Sequence, residues 1–238
     1  MKSAIRDIVL RLGSWTGSPS PKNIYYHDIG MEYTKMGTSE DVFWSHMSIL
    51  RTGDVVCFDD GFRGLWASRE RLACIGLRPI VFLAIELVGK PGYLTWSEVS
   101  ILQDDFGVDF QCHTWSHQTL VGMYNREIAE PKNGRTEAWF KHELVDSRHE
   151  LENRLGKTVS SLCFPVGFFS DDIVRRCRDA GYERVYASYP GDRSDAYIQP
   201  RCLVQNLTTK QLRFVLRGGM NLLKKHFMNL HYFPDGSL

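Results

Sequence analysis

No uncharged apolar run in this sequence approaches the roughly 18 residues that a membrane-crossing helix requires. The most apolar segment, PIVFLAIELVG, has the length of a buried strand. Excess charge is missing too: 29 Lys and Arg stand against 28 Asp and Glu, so no global field draws the chain to nucleic acid or an anionic membrane. Whatever it binds must be recognised locally. The opening MKSAIRDIVLRLGSW starts as a secretory leader would, but Arg6, Asp7 and Arg11 interrupt it, so no leader is expected. The six cysteines (Cys57, Cys74, Cys112, Cys163, Cys177, Cys202) fall in no CxxC spacing and offer no pattern for a thiolate zinc site or a redox pair. Three lie inside apolar strand-like runs, where a reduced cysteine acts as a small hydrophobe. These absences predict a soluble, cytoplasmic protein in a reducing compartment.

The 238 residues that remain, 43% hydrophobic, suit one compact domain. Runs rich in β-branched and aromatic residues alternate with segments of helical period, the order of an α/β fold with parallel strands. Strands are expected at 23–29, 54–60, 78–85, 108–113, 159–165, 183–188 and 197–204. Helix punctuation falls between them. Ser39 precedes a helix that Gly53 should end; Thr95 to Glu98 has the form of a capping box; a helix over about 136–155 should stop at Gly156; and SDDIVRRCRDAG carries a capping serine, first-turn acids and a terminal glycine. Such a chain makes either a doubly wound open sheet or a barrel, and both gather ligands at the carboxyl ends of the strands. At those ends stand His27, the pair Asp59 and Asp60, His113, and Pro165-Val166-Gly167. The stretch 124–137 is the loop expected to lie over that face.

HTWSH places His113 and His117 four residues apart, a spacing that suits two ligands of one divalent metal. Thr114 takes the place where a zincin protease carries its glutamate. Alone, the pair could equally be a cap and a core histidine. Two adjacent aspartates change the balance, because two histidines and a carboxylate are a standard zinc set and a second carboxylate can take a proton from the metal's water. Gly61 would let both face one cleft. The bland alternative, that the aspartates only cap the next helix, leaves the histidines unexplained. A glycosidase pair is disfavoured, since its two acids stand about 5 to 10 Å apart across the scissile bond.

In this order, VVCFDDGF, HTWSH and LCFPVG resemble the first three motifs of the polysaccharide deacetylases (carbohydrate esterase family 4, the NodB-homology fold), and NIYYHDI resembles the opening strand of one branch. The resemblance implies a single-domain distorted (β/α)7 barrel over 23–204, with an N-terminal extension over 1–22 and a helical C-terminal tail over 205–238 packed on it. It implies Asp59 as catalytic base, Asp60, His113 and His117 as ligands of zinc (cobalt or nickel also fitting), and the Val166 N–H as oxyanion donor beside Pro165 and Gly167. The substrate implied is an acetylated sugar or glycan precursor, N-acetyl in preference to O-acetyl. Two departures stand out. The family arginine early in the third motif is absent, which leaves open the group that orients the base: Arg201, also a candidate for substrate binding, is either its substitute or part of an ordinary surface salt bridge. The late histidine that serves as general acid has no match, since His226 and His231 lie in a basic tail, so His27 is the candidate. Cys112 should point away from the face of His113. Among Trp66, Trp96, Trp115, Trp139 and Tyr124, only Trp115, inside the metal motif, is a candidate for stacking on a sugar. The alternatives are a deacetylase-like sugar-binding protein that has lost catalysis, and a metal-dependent amidohydrolase acting on a small non-sugar amide.

Overall fold

The computed structural model describes residues 21–122, 134–190 and 196–221. Its strands are β1 (Asn23–Tyr26), β2 (Asp28–Ile29), β3 (Gly37–Thr38), β4 (Val55–Asp60), β5 (Ile80–Leu83), β6 (Asp109–Cys112), β7 (Ser161–Cys163), β8 (Arg184–Ala187), β9 (Ile198–Pro200) and β10 (Cys202–Leu203). Eight form one sheet in the order β10-β1-β4-β5-β6-β7-β8-β9, and every neighbouring pair is parallel. β9 and β10 are halves of one run broken at Arg201. The first half pairs with β8 and the second with β1, so the two ends of the sheet meet and the seven strand runs of the sequence make the expected (β/α)7-type barrel.

Side chains alternate across the strands with the period-2 rule. Tyr25, Cys57, Phe82, Cys163 and Tyr186 pack together inside the barrel. Their neighbours Ile24, Val56, Phe58, Val81 and Leu83 face outward into the larger core under the helices. Both layers are buried, which is why the strands read as near-continuous apolar runs.

The elements follow their sequence signals with three differences, two in helices and one in a strand. The helix Glu40–Met47 ends six residues before Gly53, because its last turn tightens into i→i−3 bonds from Ile49 to His46 and Leu50 to Met47; Gly53, with φ +89°, turns the chain into β4 instead. The expected strand 23–29 breaks at His27, and β2 leaves the barrel to pair with β3. The helix over 136–155 carries an inner π turn at Lys141–Asp146 between Glu137–Phe140 and Ser147–Leu155. The capping box at Thr95 and Glu98 forms, and Ser170 caps Asp171–Asp179. Beyond the barrel, Thr209–Leu216 packs on Glu40–Met47, with Ser45 Oγ 2.8 Å from Thr209 Oγ1. Tyr124 with most of the loop at 124–137, His226, His231 and nearly all of the N-terminal extension lie outside the described residues. Among the described residues no helix is long and apolar enough to cross a membrane.

Candidate metal centre

On β4 alternation carries Asp59 inward behind Cys57 and would send Asp60 outward toward the helices. The backbone prevents this by turning left-handed at Asp60 (φ +69°) and again at Gly61 (φ +82°). A Cβ at position 61 would come within 2.5 Å of the Leu83 side chain, and the left-handed backbone would strain any residue that carried one, so glycine suits the turn. Both carboxylates therefore line one pocket of about 170 Å³, together with Tyr25, His27, Met36, His113, His117, Val166, Gly167 and Ser188.

The neighbours hold different partners. Asp59 is gripped from inside the barrel by Arg201, whose Nη1 and Nη2 donate to Oδ1 and Oδ2 at 2.6 and 2.9 Å. That guanidinium is fully buried, 4.2 Å over the Tyr25 ring, and also donates to Cys163 Sγ. Burial alone would push the Asp59 carboxyl up; Arg201, with His113 behind it, outweighs burial and holds it below the usual carboxylate range. Arg201 is thus not in a surface salt bridge and does not line the pocket: it stands behind Asp59 and orients that carboxylate, as a substitute for the missing arginine of the third motif would.

Asp60 faces the histidines. His117 Nε2 stands 3.0 Å and His113 Nε2 3.5 Å from Asp60 Oδ1, yet this buried oxygen accepts no well-aligned hydrogen bond. One ligand atom from each of Asp60, His113 and His117 lies within 4.8 Å of the other two. Two ligands of a tetrahedral zinc, each about 2.1 Å from it, lie about 3.4 Å apart, so the donor set and spacing fit that ion. His113 Nδ1 meets the Cys163 carbonyl at 2.8 Å, which fixes the tautomer that leaves Nε2 free to ligate. Burial, foremost, lowers the His113 imidazole to about 4, so it is neutral and ready to bind. Burial would raise Asp60 as well, but His117 and His113 outweigh it and the net direction is down. Asp59, His113 and Cys163 also cluster, but burial raises the Cys163 thiol well above its ordinary value, against a thiolate ligand.

His27 ends β1 at the pocket, with Nδ1 2.8 Å from Gln205 Oε1. Val166 lies in the turn after β7 with φ +61°, and Gly167 beside it could not carry a Cβ, which would meet Ser188 at 2.4 Å. Pro165 is buried and shapes that turn without reaching the pocket. Trp115 packs at a tilt against His142, their ring centroids 4.3 Å apart, and lines a different hollow with Trp139 and Glu143, away from the two aspartates. Cys112 points to the helix side, 3.4 Å from Ser147 Oγ. Tyr25, Met36, Ser188 and Glu143 carried no signal in the sequence. Each belongs to a segment read only as strand, loop or helix, and its inward direction depends on tertiary placement.

The family model for polysaccharide deacetylases matches residues 55–185, more than half of the chain. YxkH of Bacillus subtilis (strain 168), itself named as a polysaccharide deacetylase, is 21% identical over 138 residues, covering 58% of this chain. The chain spans 45% of the length of that curated relative. Among solved structures, a polysaccharide deacetylase from Bacillus cereus superposes with a TM-score of 0.67 at 18% identity, covering 83% of this chain and 69% of its own. IcaB from Ammonifex degensii does so at 0.70 and 15%, covering 83% and 97%. At such identities the structural likeness speaks for the fold, while the family match runs from the paired aspartates through the histidine turn to the strand after Gly167. By that match, the chain belongs to the polysaccharide deacetylase family.

Proposed function

We propose that the protein is a metal-dependent hydrolase that removes an acetyl group, N-acetyl in preference to O-acetyl, from a carbohydrate or glycan precursor. The observation that carries this reading is the division of labour between adjacent carboxylates in one pocket: Asp59 is held by a buried arginine, Asp60 by two histidines. Asp60, His113 and His117 would hold a divalent cation, zinc by the chemistry of the donors, which when bound lowers the pKa of a water and polarises the acetyl carbonyl. Asp59 takes the proton from the attacking water. Its two bonds to Arg201 leave each oxygen a lone pair toward the pocket, and they keep it ionised and aimed. Val166 offers its N–H to the oxyanion of the tetrahedral intermediate. His27 opens onto the same pocket and returns a proton to the leaving amine, its ring fixed by Gln205. A pocket of about 170 Å³ admits an acetyl group and leaves the sugar outside. A cytoplasmic setting and a precursor substrate belong to the same proposal, supported by six free cysteines.

The test is acetate release from N-acetylated sugars and glycan precursors by zinc-loaded protein. Release that chelation stops, and that falls by at least about a thousandfold in Asp59→Asn, is the expected result. Zinc-loaded wild type that releases no acetate from any acetylated sugar would overturn the reading.

A further inference from the structure

We propose that Glu143 is a positioning residue that holds the histidine turn in the shape the metal needs; this rests on the metal centre proposed above. The turn between His113 and His117 is not one a free peptide would keep. Thr114 (φ +68°) and His117 (φ +62°) are both left-handed without being glycine, a strained state that persists only where the surroundings enforce it. On one side the enforcement is backbone: Ile85 N donates to the Thr114 carbonyl at 3.3 Å and Glu86 N to the Trp115 carbonyl at 2.9 Å. On the other side it is a single carboxylate. Glu143 Oε2 accepts from the Trp115 and Ser116 amides, each at 3.0 Å, and Oε1 accepts from Ser116 Oγ at 2.7 Å.

Glu143 is 1% exposed and reaches this place from the π turn at Lys141–Asp146. A π turn carries one residue more than an α turn, and such insertions collect at functional sites. Removing it would rotate the helix by about 100° per residue and carry the carboxylate away from the turn. Without Glu143, two inward-facing amides and a hydroxyl would lose their acceptor, and the His117 ring would be free to leave the point it shares with His113 and Asp60.

The experiment measures zinc affinity by chelator competition, and amide hydrogen exchange at Trp115 and Ser116 in the metal-free chain, for wild type, Glu143→Ala and Glu143→Gln. Glu143→Ala is expected to weaken zinc binding about 10- to 100-fold, as loss of an outer-shell partner does, and to speed exchange at both amides. Glu143→Gln should stay within about threefold of wild type, because its amide oxygen can accept both N–H groups and its NH2 can meet the serine hydroxyl. A Glu143→Ala chain with wild-type zinc affinity and unchanged exchange would overturn the proposal. Should that variant fail to fold, Ser116→Ala removes one of the three bonds and is expected to weaken zinc about three- to tenfold; no weakening there would overturn it equally. Failure of the wild type to bind zinc would count against the metal centre itself, and the exchange rates would still decide whether Glu143 holds the turn.

Discussion

The two ends of the barrel solve the same geometric problem with different residues. The turns that enter β4, β5, β6, β7 and β8 each need a left-handed position, and each uses a glycine there: Gly53, Gly76, Gly107, Gly156 and Gly181. At the opposite end, where the strands leave the barrel, left-handed positions fall on Gly61 and Gly167 but also on Asp60, Thr114, His117 and Val166. These four are all the non-glycine residues with positive φ among the described residues. Glycine adopts that conformation without strain. At Asp60 and His117 a side chain faces the pocket, which glycine could not supply, and there the fold tolerates strain. The entry turns are built to fold, and the exit turns are built to present carboxylate, imidazole and amide groups.

The hardest way to break the comparison is to remove what holds the strained end together. Arg201→Met would leave the Asp59 charge buried without its partner, with an expected loss of about 3–5 kcal/mol in urea unfolding. Adding Asp59→Asn should recover most of it, and a single variant within about 1 kcal/mol of wild type would show that the pair is not holding the exit end. Asp28 asks the same question through pH. Burial, foremost, pushes its carboxyl up to about 7 against the Ile29 and Gly64 amides, and its Oδ2 has no partner. The folded chain therefore keeps this proton up to about pH 7, whereas the unfolded chain releases it near its ordinary value of 3.8. Stability should fall as pH rises between those values and level off above about 7, where the contribution of this proton is gone. Asp28→Asn should remove that slope, raising stability at pH 8 relative to pH 5 by about 2 kcal/mol compared with wild type. Parallel slopes for the two chains would refute this. The smallest effects come from exchanging the two kinds of turn. Gly156→Ala, with open space around its Cβ but φ +64°, should cost about 1 kcal/mol and leave zinc affinity alone. Val166→Gly should gain up to about 1 kcal/mol by releasing a β-branched residue from the left-handed region. Urea midpoints moving in the same direction for both would erase the contrast.

Much of this was written plainly in the chain. The barrel strands follow from apolar runs long enough to be buried on both faces, and the paired aspartates and histidine spacing marked their own strand ends. Arg201 could be named as a substitute for the orienting arginine but not separated from a surface salt bridge, because the sequence places it 142 positions from Asp59 and gives it the surroundings of an edge strand; only closure of the barrel makes it an interior residue. The π turn escaped for a different reason. One extra residue hardly changes apolar periodicity over a 19-residue helical stretch, yet it decides which way Glu143 points. The turn at Asp60 shows the limit of alternation as a rule: read strictly, it sends one of two neighbouring carboxylates to the wrong side, and a single left-handed residue brings it back.

Because Arg201 sits between the half-strands that close the barrel, the order of synthesis has a consequence for the pocket. A ribosome adding 5–20 residues per second places Asp59 roughly 10–30 seconds before its arginine. Through that interval the carboxylate has no cation to face, and the sheet lacks its final seam. Pairing of Asp59 with its arginine therefore waits for the last strand of the sheet, and joining the two ends of the sheet and pairing this buried charge belong to one step.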